Sequence, residues 1–498
     1  MNEEITITVN GIKISSRAGV LLSSVIGKEK PCGGHGKCGK CKVIAKGNLS
    51  KISENELNML TKEELGFGVR LACQTIALGD CEVTTLDGNA KPQIIEDGTA
   101  TDFKVQPSFS RYGIAVDIGT TTVVGRLYDR IGNLLCSRAY LNPQKEWGAD
   151  VISRIEADLK GLGRNLTEAI QSALNELIVN LCLTAEISPK EIDGAVITGN
   201  TVMLSFLVGE STEPFSHAPF DAKRLFGEEI NACEIGLGCM ADNAKIYLPP
   251  CISAFVGADI TCGILATNSQ NQDGTMLVDV GTNGEMAFNY GGRLTVCSTS
   301  AGPAFEGVGI SCGMRAEEGA IDKVTLVRGK LIAHVIGEGE AKGICGSGLV
   351  DAVACLLDSE QLDESGYLED ESVMLTDKVS VTQKDIRALQ LAKSAICAGM
   401  ITLVKEREKG EEIVKTLYIA GGFGNYLNKN SASRIKLLPK NLACVSICVG
   451  NCALSGASMI LLNPDFRSES EKIAKKAQTL SLATDKIFVE NYIKFMSF

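Results

Sequence analysis

The chain has 498 residues, 45% of them apolar and 22% charged, with a net charge of −11. Such a composition is ordinary for a globular chain of roughly two to four domains, and the acidic balance argues against nucleic acid as a partner. No apolar run reaches the roughly 18 residues of a membrane helix, and the acidic, strand-like start Met1-Asn-Glu-Glu-Ile-Thr-Ile is not that of a signal peptide. Nineteen cysteines then point to a reducing, cytoplasmic setting, where clustered thiols bind metal more often than they pair.

Residues 1–88 read as a first domain. Ile5-Thr-Ile-Thr-Val9 alternates, Asn10-Gly11 turns, and Ile12-Lys-Ile14 alternates again, a two-residue hairpin signal. Leu21–Ile26 reads as a short helix, and a β-grasp fold follows. Within it, Cys32, Cys38 and Cys41 are spaced C-x5-C-x2-C, and Cys73 lies in Arg70-Leu-Ala-Cys73-Gln. Three close ligands and a distant fourth suit an iron–sulfur cluster, with glycines letting the loop wrap it. The spacing is one residue longer than the plant-type C-x4-C-x2-C and resembles the longer-loop [2Fe–2S] ferredoxins. A structural zinc site matches less well. Cys81 is the nearest rival fourth ligand but falls in an expected strand, Cys81–Thr85. His35 lacks the second histidine of a Rieske site, and Gly34-x-Gly36-x-x-Gly39 lacks the strand and helix that a dinucleotide fingerprint needs.

Residues 89–110 read as a linker rich in polar and turn residues. A flexible tether there would let a cluster swing between donor and acceptor.

Beyond the linker, strands alternate with helical patterns, so the class is α/β. Tyr112-Gly-Ile-Ala-Val-Asp117-Ile-Gly119-Thr120-Thr121-Thr122 is echoed by Thr275-Met-Leu-Val-Asp279-Val-Gly281-Thr282-Asn283. Each is an apolar strand ending in Asp-x-Gly-Thr. The glycine admits backbone N–H groups to a phosphate, and the Asp suits Mg²⁺ or its water. Two copies imply similar halves, residues 111–270 and 271–498, facing one nucleotide. Two further strand-to-turn motifs follow, Ile197-Thr198-Gly199-Asn200 and Ile419-Ala420-Gly421-Gly422. Cys345-Gly346-Ser347-Gly348 reads as a turn into a helix and another phosphate or hinge contact. Ile386, Leu389, Ile396, Met400 and Leu403 form a helical stripe that reads as core. Cys444, Cys448 and Cys452, with Cys233, Cys239 and Cys345, read as small core residues. A Walker A sequence is missing.

The ordered set of glycine motifs resembles the actin and hexokinase superfamily. That resemblance implies phosphate contacts at both Asp-Gly-Thr turns and adenosine at the Ala-Gly-Gly turn. Asn142-Pro143-Gln144, Thr198–Met203, Ser300–Gly307, Gly313-Met314-Arg315 and Gly450-Asn451 together resemble the ATP-dependent reductive activators of corrinoid proteins, over nearly the whole chain. The chain has no room for the extra small domain of longer members, and its carboxy-terminal cysteines match no common cluster.

The resemblance implies a duplicated actin/hexokinase-like ATPase behind an amino-terminal β-grasp ferredoxin. It implies ATP-dependent one-electron return of an inactive Co(II) corrinoid methyl carrier to Co(I), with a low-potential donor and a homodimer. Asp117 and Asp279 are then expected to handle Mg²⁺ and the attacking water. Gly119, Thr120, Thr121, Gly281, Thr282, Asn283, Gly346 and Ser347 are expected to hold phosphate, and Gly421 and Gly422 to pack near adenosine. Alternatives are an activator of another low-potential metalloenzyme, or a redox-linked nucleotide sensor.

Charge is uneven along the chain. Residues 1–90 hold 11 Lys and Arg against 10 Asp and Glu, and the remainder 38 against 50. Six Lys and one Glu lie between Lys28 and Lys46, threaded through the cysteine loop. This reads as a solubilising surface or as a basic rim for an acidic redox partner. On the second reading, Lys37→Glu with Lys40→Glu slows partner reduction, chiefly at low salt; equal rates at low salt would remove the rim.

Overall fold

The computed structural model describes residues 4–9, 12–26, 41–61, 64–65, 68–85, 103–337, 339–407, 410–421 and 427–498. The chain divides into two compact units, Met1–Gln93 and Ile94–Phe498.

In the first unit, strands β1 (Glu4–Val9) and β2 (Ile12–Arg17) pair antiparallel with Val9 opposite Ile12, as the hairpin pattern requires. Strands β3 (Val20–Leu21), β4 (Lys42–Leu49), β5 (Val69–Leu71) and β6 (Ile76–Thr85) complete a sheet of order β2-β1-β6-β4-β5, with β3 on β6. β1 and β6 run parallel, side by side. An amino-terminal hairpin whose first strand lies parallel to the last is the β-grasp arrangement. A short helix, Leu22–Val25, follows β3. Alternation buries Ile5 and Ile7 on one face with Val43, Leu71 and Val83.

Glu56, wholly buried on the helix Glu54–Met59, organises the loop carrying Cys73. Its carboxylate accepts from Arg70 Nε at 2.8 Å, Arg70 Nη2 at 3.1 Å, Leu71 N at 3.0 Å and Thr75 Oγ1 at 3.1 Å. Ser53 N adds a bond at 2.9 Å within a capping box.

The second unit is built twice over. Its first sheet contains β7 (Tyr112–Ile118), β8 (Thr122–Asp129), β9 (Leu134–Leu141), β10 (Ile192–Gly199), β11 (Glu228–Asn231) and β12 (Lys245–Leu248), in the order β11-β12-β10-β7-β8-β9. After β13 (Thr275–Val280), β14 (Asn283–Tyr290) and β15 (Arg293–Ser300) come two small sheets. These are β16 (Ala320–Val327) with β17 (Lys330–Val335) and β18 (Gly343–Ile344), and β19 (Ser372–Met374) with β20 (Ser380–Thr382). β21 (Thr416–Ala420), β22 (Ser446–Gly450) and β23 (Gln478–Thr479) join the second large sheet, ordered β22-β21-β13-β14-β15-β23. Each large sheet is an antiparallel meander, β7-β8-β9 or β13-β14-β15, with parallel strands beyond its first member.

Strand period decides which way the key residues face. Ile114, Val116 and Ile118 of β7 join one core with the helices Gly163–Ala185 and Thr201–Val208. Met276, Val278 and Val280 of β13 join another with Gly346–Asp358 and Gln383–Lys405. The alternate residues Ala115 and Leu277 share a third core, with the helices Ala258–Thr267 and Cys452–Leu462, between the sheets. Asp117 and Asp279 continue that middle-facing series, so the same alternation turns both toward one space.

Other expectations fare differently. The stripe Ile386, Leu389, Ile396, Met400 and Leu403 is buried. Its helix, Gln383–Lys405, is long and apolar enough to cross a membrane by length and composition, yet 83% of the apolar window is buried inside the protein. Residues 103–110 are not a free tether. Phe103 packs edge-on to Phe466 at 5.2 Å, Gln106 N donates to Leu462 O at 2.8 Å, and Phe109 is buried. Cys345 and Cys452 are buried, but Cys233 and Cys444 are exposed. Cys233 sits in a surface turn whose Ala232 and Ile235 point inward, and Cys444 ends a short helix that buries Leu442 and Ala443 instead.

Burial alone would raise the Glu56 pKa, but bonds from Arg70 and the Ser53 and Leu71 amides overcome it and hold it at about 2. A folded-state pKa below the unfolded value stabilises fully above pH ~4.5 and is lost as pH falls through that value toward 2. In thermal unfolding of the full chain, Glu56→Gln lowers the first unit's midpoint and flattens its decline between pH 4.5 and 2. An unchanged pH profile would remove Glu56 as the source.

Candidate functional site

The two Asp-x-Gly-Thr segments form matching hairpin turns. Gly119 N donates to Thr122 O at 2.9 Å, and Gly281 N to Asn283 O at 3.0 Å. Beside each Asp runs a parallel strand ending in a small-residue turn: Thr198 is in register with Asp117, and Ala420 with Asp279. The four sequence motifs are therefore two pairs, facing each other across one cleft of about 450 Å³.

Asp117, Gly119, Thr120 and Thr121 line it from the first half, and Asp279, Gly281, Thr282 and Asn283 from the second. Gly346, Ser347 and Gly421 line it as well. The helix Gly346–Asp358 begins there with no side-chain cap, leaving its first N–H groups available to an anion. Gly421 has φ +94°, and a Cβ there would lie 2.6 Å from Val280 O, so the turn needs glycine to lie against Asp279. Gly422 lies outside the described residues.

The cleft also holds residues to which the sequence reading gave no role: Arg126, Asp259, Glu285, Glu306, Arg315 and Asn451. Glu285 follows Asn283 by one strand period, a readable signal. Asp259 begins an apolar helix after Gly257-Ala258, where a Cβ on Gly257 would lie 2.3 Å from Asn200 Cα. Only glycine lets that helix start reach the Asn200 turn.

Like charges crowd the floor. Burial raises the Asp117 pKa to about 6, opposed by the Asn451 hydrogen bond and the Arg126 charge. Burial and the charges of Asp259, Asp117 and Glu306 raise Asp279 to about 8. Asp259 and Glu285 are raised too, by burial first and by neighbouring carboxylates. Arg126 Nη1 is buried in the described structure without a hydrogen-bond partner.

Hard carboxylate oxygens fit Mg²⁺. Among the described residues no three His, Cys, Asp or Glu side chains are close enough to hold an ion unaided. Mg²⁺ bound through one or two carboxylates, with phosphate and water oxygens completing its shell, needs no such group.

The first turn is held from behind by Asn142-Pro143-Gln144. Asn142 Nδ2 donates to Gly119 O at 2.9 Å, and Asn142 N to Thr121 O at 2.9 Å. Arg154, wholly buried, donates to Thr120 O at 2.6 Å and to Gln144 Oε1 at 3.2 Å. Other bonds cross between halves. Asn451 Nδ2 donates to Asp117 Oδ2 at 2.8 Å, and Arg315 Nη2 to Thr122 Oγ1 at 2.8 Å.

In the first unit, the buried Cys41 and Cys73 bring their sulfurs within 3.2 Å. Two converging thiols fit a cluster's donor chemistry. Cys81 is opposite Gly47, six residues along β4 from Cys41 and thus roughly 20 Å away. Cys32, Cys38, His35 and the lysines Lys37 and Lys40 lie outside the described residues.

Asn142→Ala removes the bond to Gly119 O and the cap on Gln144 N. The expected cost is ~1–2 kcal/mol of stability, together with about tenfold weaker ATP binding by calorimetry as the turn loosens. Unaltered affinity would show that the turn holds its shape alone.

The family model for the RACo middle region matches residues 112–272, and that for the C-terminal ASKHA domain of RACo matches residues 273–498. The corrinoid activation enzyme RamQ of Eubacterium limosum is 35% identical over 416 residues, 77% of this chain and 69% of that protein. The [Co(II) methylated amine-specific corrinoid protein] reductase of Methanosarcina barkeri is 27% identical over 78% of this chain and 77% of its own length. A component of the Na⁺-translocating NADH-quinone reductase of Neisseria meningitidis matches 16% of the chain at 36% identity, covering 21% of that protein. The solved structure of a reductive activator for corrinoid, iron-sulfur protein superposes with a TM-score of 0.76 at 27% identity, covering 99% of this chain and 98% of that one. With the duplicated sheets, the shared cleft and these matches, the chain belongs to the RACo family of corrinoid-protein activators and carries its ASKHA fold.

Proposed function

We infer that this protein uses ATP to drive one electron onto a corrinoid protein, reducing inactive Co(II) to Co(I). The observation that carries the reading is the single cleft at which both Asp-x-Gly-Thr turns meet, in a chain of this family that also pairs Cys41 and Cys73 in a separate unit.

The need for ATP follows from redox energetics. Plant-type clusters sit near about −400 mV, and each ~59 mV of shortfall costs tenfold for one electron. An ATP-driven change between open and closed halves could hold the corrinoid partner in a form that favours Co(I), with hydrolysis releasing it.

In this reading Cys32, Cys38, Cys41 and Cys73 hold a [2Fe–2S] cluster, which supplies one-electron transfer when bound. Thr120, Thr121, Thr282 and Asn283 take phosphate oxygens. The Gly346 amide end adds N–H donors, assisted by Ser347, and Gly421 and Gly422 border the adenosine. Asp117 and Asp279 would hold Mg²⁺ or its waters, and the ion would screen phosphate charge. Asp259, near the start of a helix that lines the same cleft, would take a proton from the attacking water in this reading. Arg126, without a partner at Nη1, is a ready counter-charge for the nucleotide. A cytoplasmic setting fits the free thiols; the homodimer rests on resemblance alone, and the electron donor is expected to be a low-potential carrier.

The test mixes anaerobically reduced protein with a Co(II) corrinoid protein, with and without MgATP, and follows Co(I) absorbance. Co(I) is expected to form only with ATP. Asp117→Ala is expected to lose ATP hydrolysis, by tenfold or more, while its cluster still reduces. A reduced cluster that passes no electron to several corrinoid proteins would move the acceptor elsewhere.

A further inference from the structure

The carboxylate of Glu306 sits between the two phosphate turns. It accepts a hydrogen bond from the Thr121 hydroxyl of the first half through Oε2, and one from the Thr282 hydroxyl of the second half at 3.2 Å through Oε1. The two hydroxyls are themselves 3.4 Å apart. A Cβ at Gly281 would meet Glu306 Oε1 at 3.4 Å, an ordinary contact, so the second turn lies directly against the carboxylate. Glu306 ends the turn Pro303–Glu306 that follows β15, so it belongs to the second half and reaches across. Arg315 Nη2 closes the same seam, donating to Thr121 O at 3.3 Å.

We propose that Glu306 is an internal anion that ties the two phosphate turns together in the nucleotide-free protein and is displaced by the terminal phosphate of ATP. This rests on the ATPase reading above and deepens it. Thr121 and Thr282 have one hydroxyl proton each, and here both are directed at the carboxylate. A phosphate entering between the turns needs the same protons and carries the same sign of charge. Carboxylate and terminal phosphate therefore exclude each other, whereas a diphosphate, lacking that group, leaves the bridge in place. Only the triphosphate then breaks the tie, which makes the seam between the halves sensitive to hydrolysis.

The test compares Glu306→Gln and Glu306→Asp in the full chain. Glutamine removes the charge at constant size; aspartate keeps the charge but is too short to span both hydroxyls. Affinities for a non-hydrolysable ATP analogue and for ADP, each with Mg²⁺, are measured by calorimetry. Hydrogen exchange of residues 118–122 and 281–283 is measured without nucleotide. Both variants are expected to bind the analogue about tenfold more tightly, with ADP little changed, and to exchange faster in both turns. Tighter binding by the glutamine variant alone would reduce the effect to simple charge and overturn the tie. Weaker analogue binding, or unaltered exchange, would overturn it too, and so would normal affinities with hydrolysis lost, which would assign Glu306 to the attacking water. Failure of the ATPase reading would appear separately, as a wild-type protein that binds neither nucleotide, and would remove the displacing ligand from the proposal.

Discussion

The larger unit depends on a concentration of negative charge. Asp117, Asp259, Asp279, Glu285 and Glu306 all face one cleft, and burial lifts the proton affinity of Asp117 and Asp279 well above the ordinary carboxylate range. Carboxylates out of water repel one another strongly, and such an arrangement settles only when protons, cations or donors answer it. Part of the answer is built in. Arg126 lies near Asp117, Asn451 donates to it, and hydroxyls of both halves turn toward Glu306. The remainder is left open, and a bound nucleotide with its metal ion would answer it, with positive charge for the acids and phosphate oxygens for the hydroxyls and the N–H groups of the Gly346 helix end.

That concentration follows from duplication and strand period together. Each half ends a middle-facing series of strand residues in an Asp, and each sheet turns its other face to its own helical core. The space between the sheets is closed below by two helices, Ala258–Thr267 and Cys452–Leu462. Asn451 caps the second of these through Leu454 N at 2.8 Å while donating to Asp117. The bonds across the two sheets therefore converge on Asp117, on the Thr121–Glu306–Thr282 seam and on Arg315. The first turn, by contrast, is pinned to its own half by Asn142 and Arg154.

Much of this was legible in the sequence because it is local. A two-residue hairpin, an Asp at a strand end and a glycine turn announce themselves within ten residues, and the repeat of the pattern announces the duplication. What escaped was set by tertiary contact. Asn142-Pro143-Gln144 could be matched as a motif, but its task is to brace a turn more than twenty residues earlier. Glu306 reaches across to Thr121, and Asn451 to Asp117, over chain separations that no period encodes. Asp259 carried a faint signal, a glycine two residues before an acid that opens an apolar helix. The misjudged cysteines show the reverse error. Small apolar character predicts burial on average, yet Cys233 and Cys444 are exposed because their immediate neighbours took the inward positions.

The sequence also overextended the connector. Composition marks residues 89–110 as connector, but Phe103, Gln106 and Phe109 spend their contacts on the second unit, against Phe466, Leu462 and the sheet at Gly113 and Gly194. The last described strand of the first unit ends at Thr85. Inside the first unit, the Glu56 bonds to Arg70, Leu71 and Thr75 hold the Cys73 segment through buried interactions. Buried charge is thus handled in opposite ways in the two units: Glu56 is met by donors of its own unit and its pKa is held at about 2, whereas those of Asp117 and Asp279 are raised to about 6 and 8 because burial outweighs the donors and cations that their unit supplies.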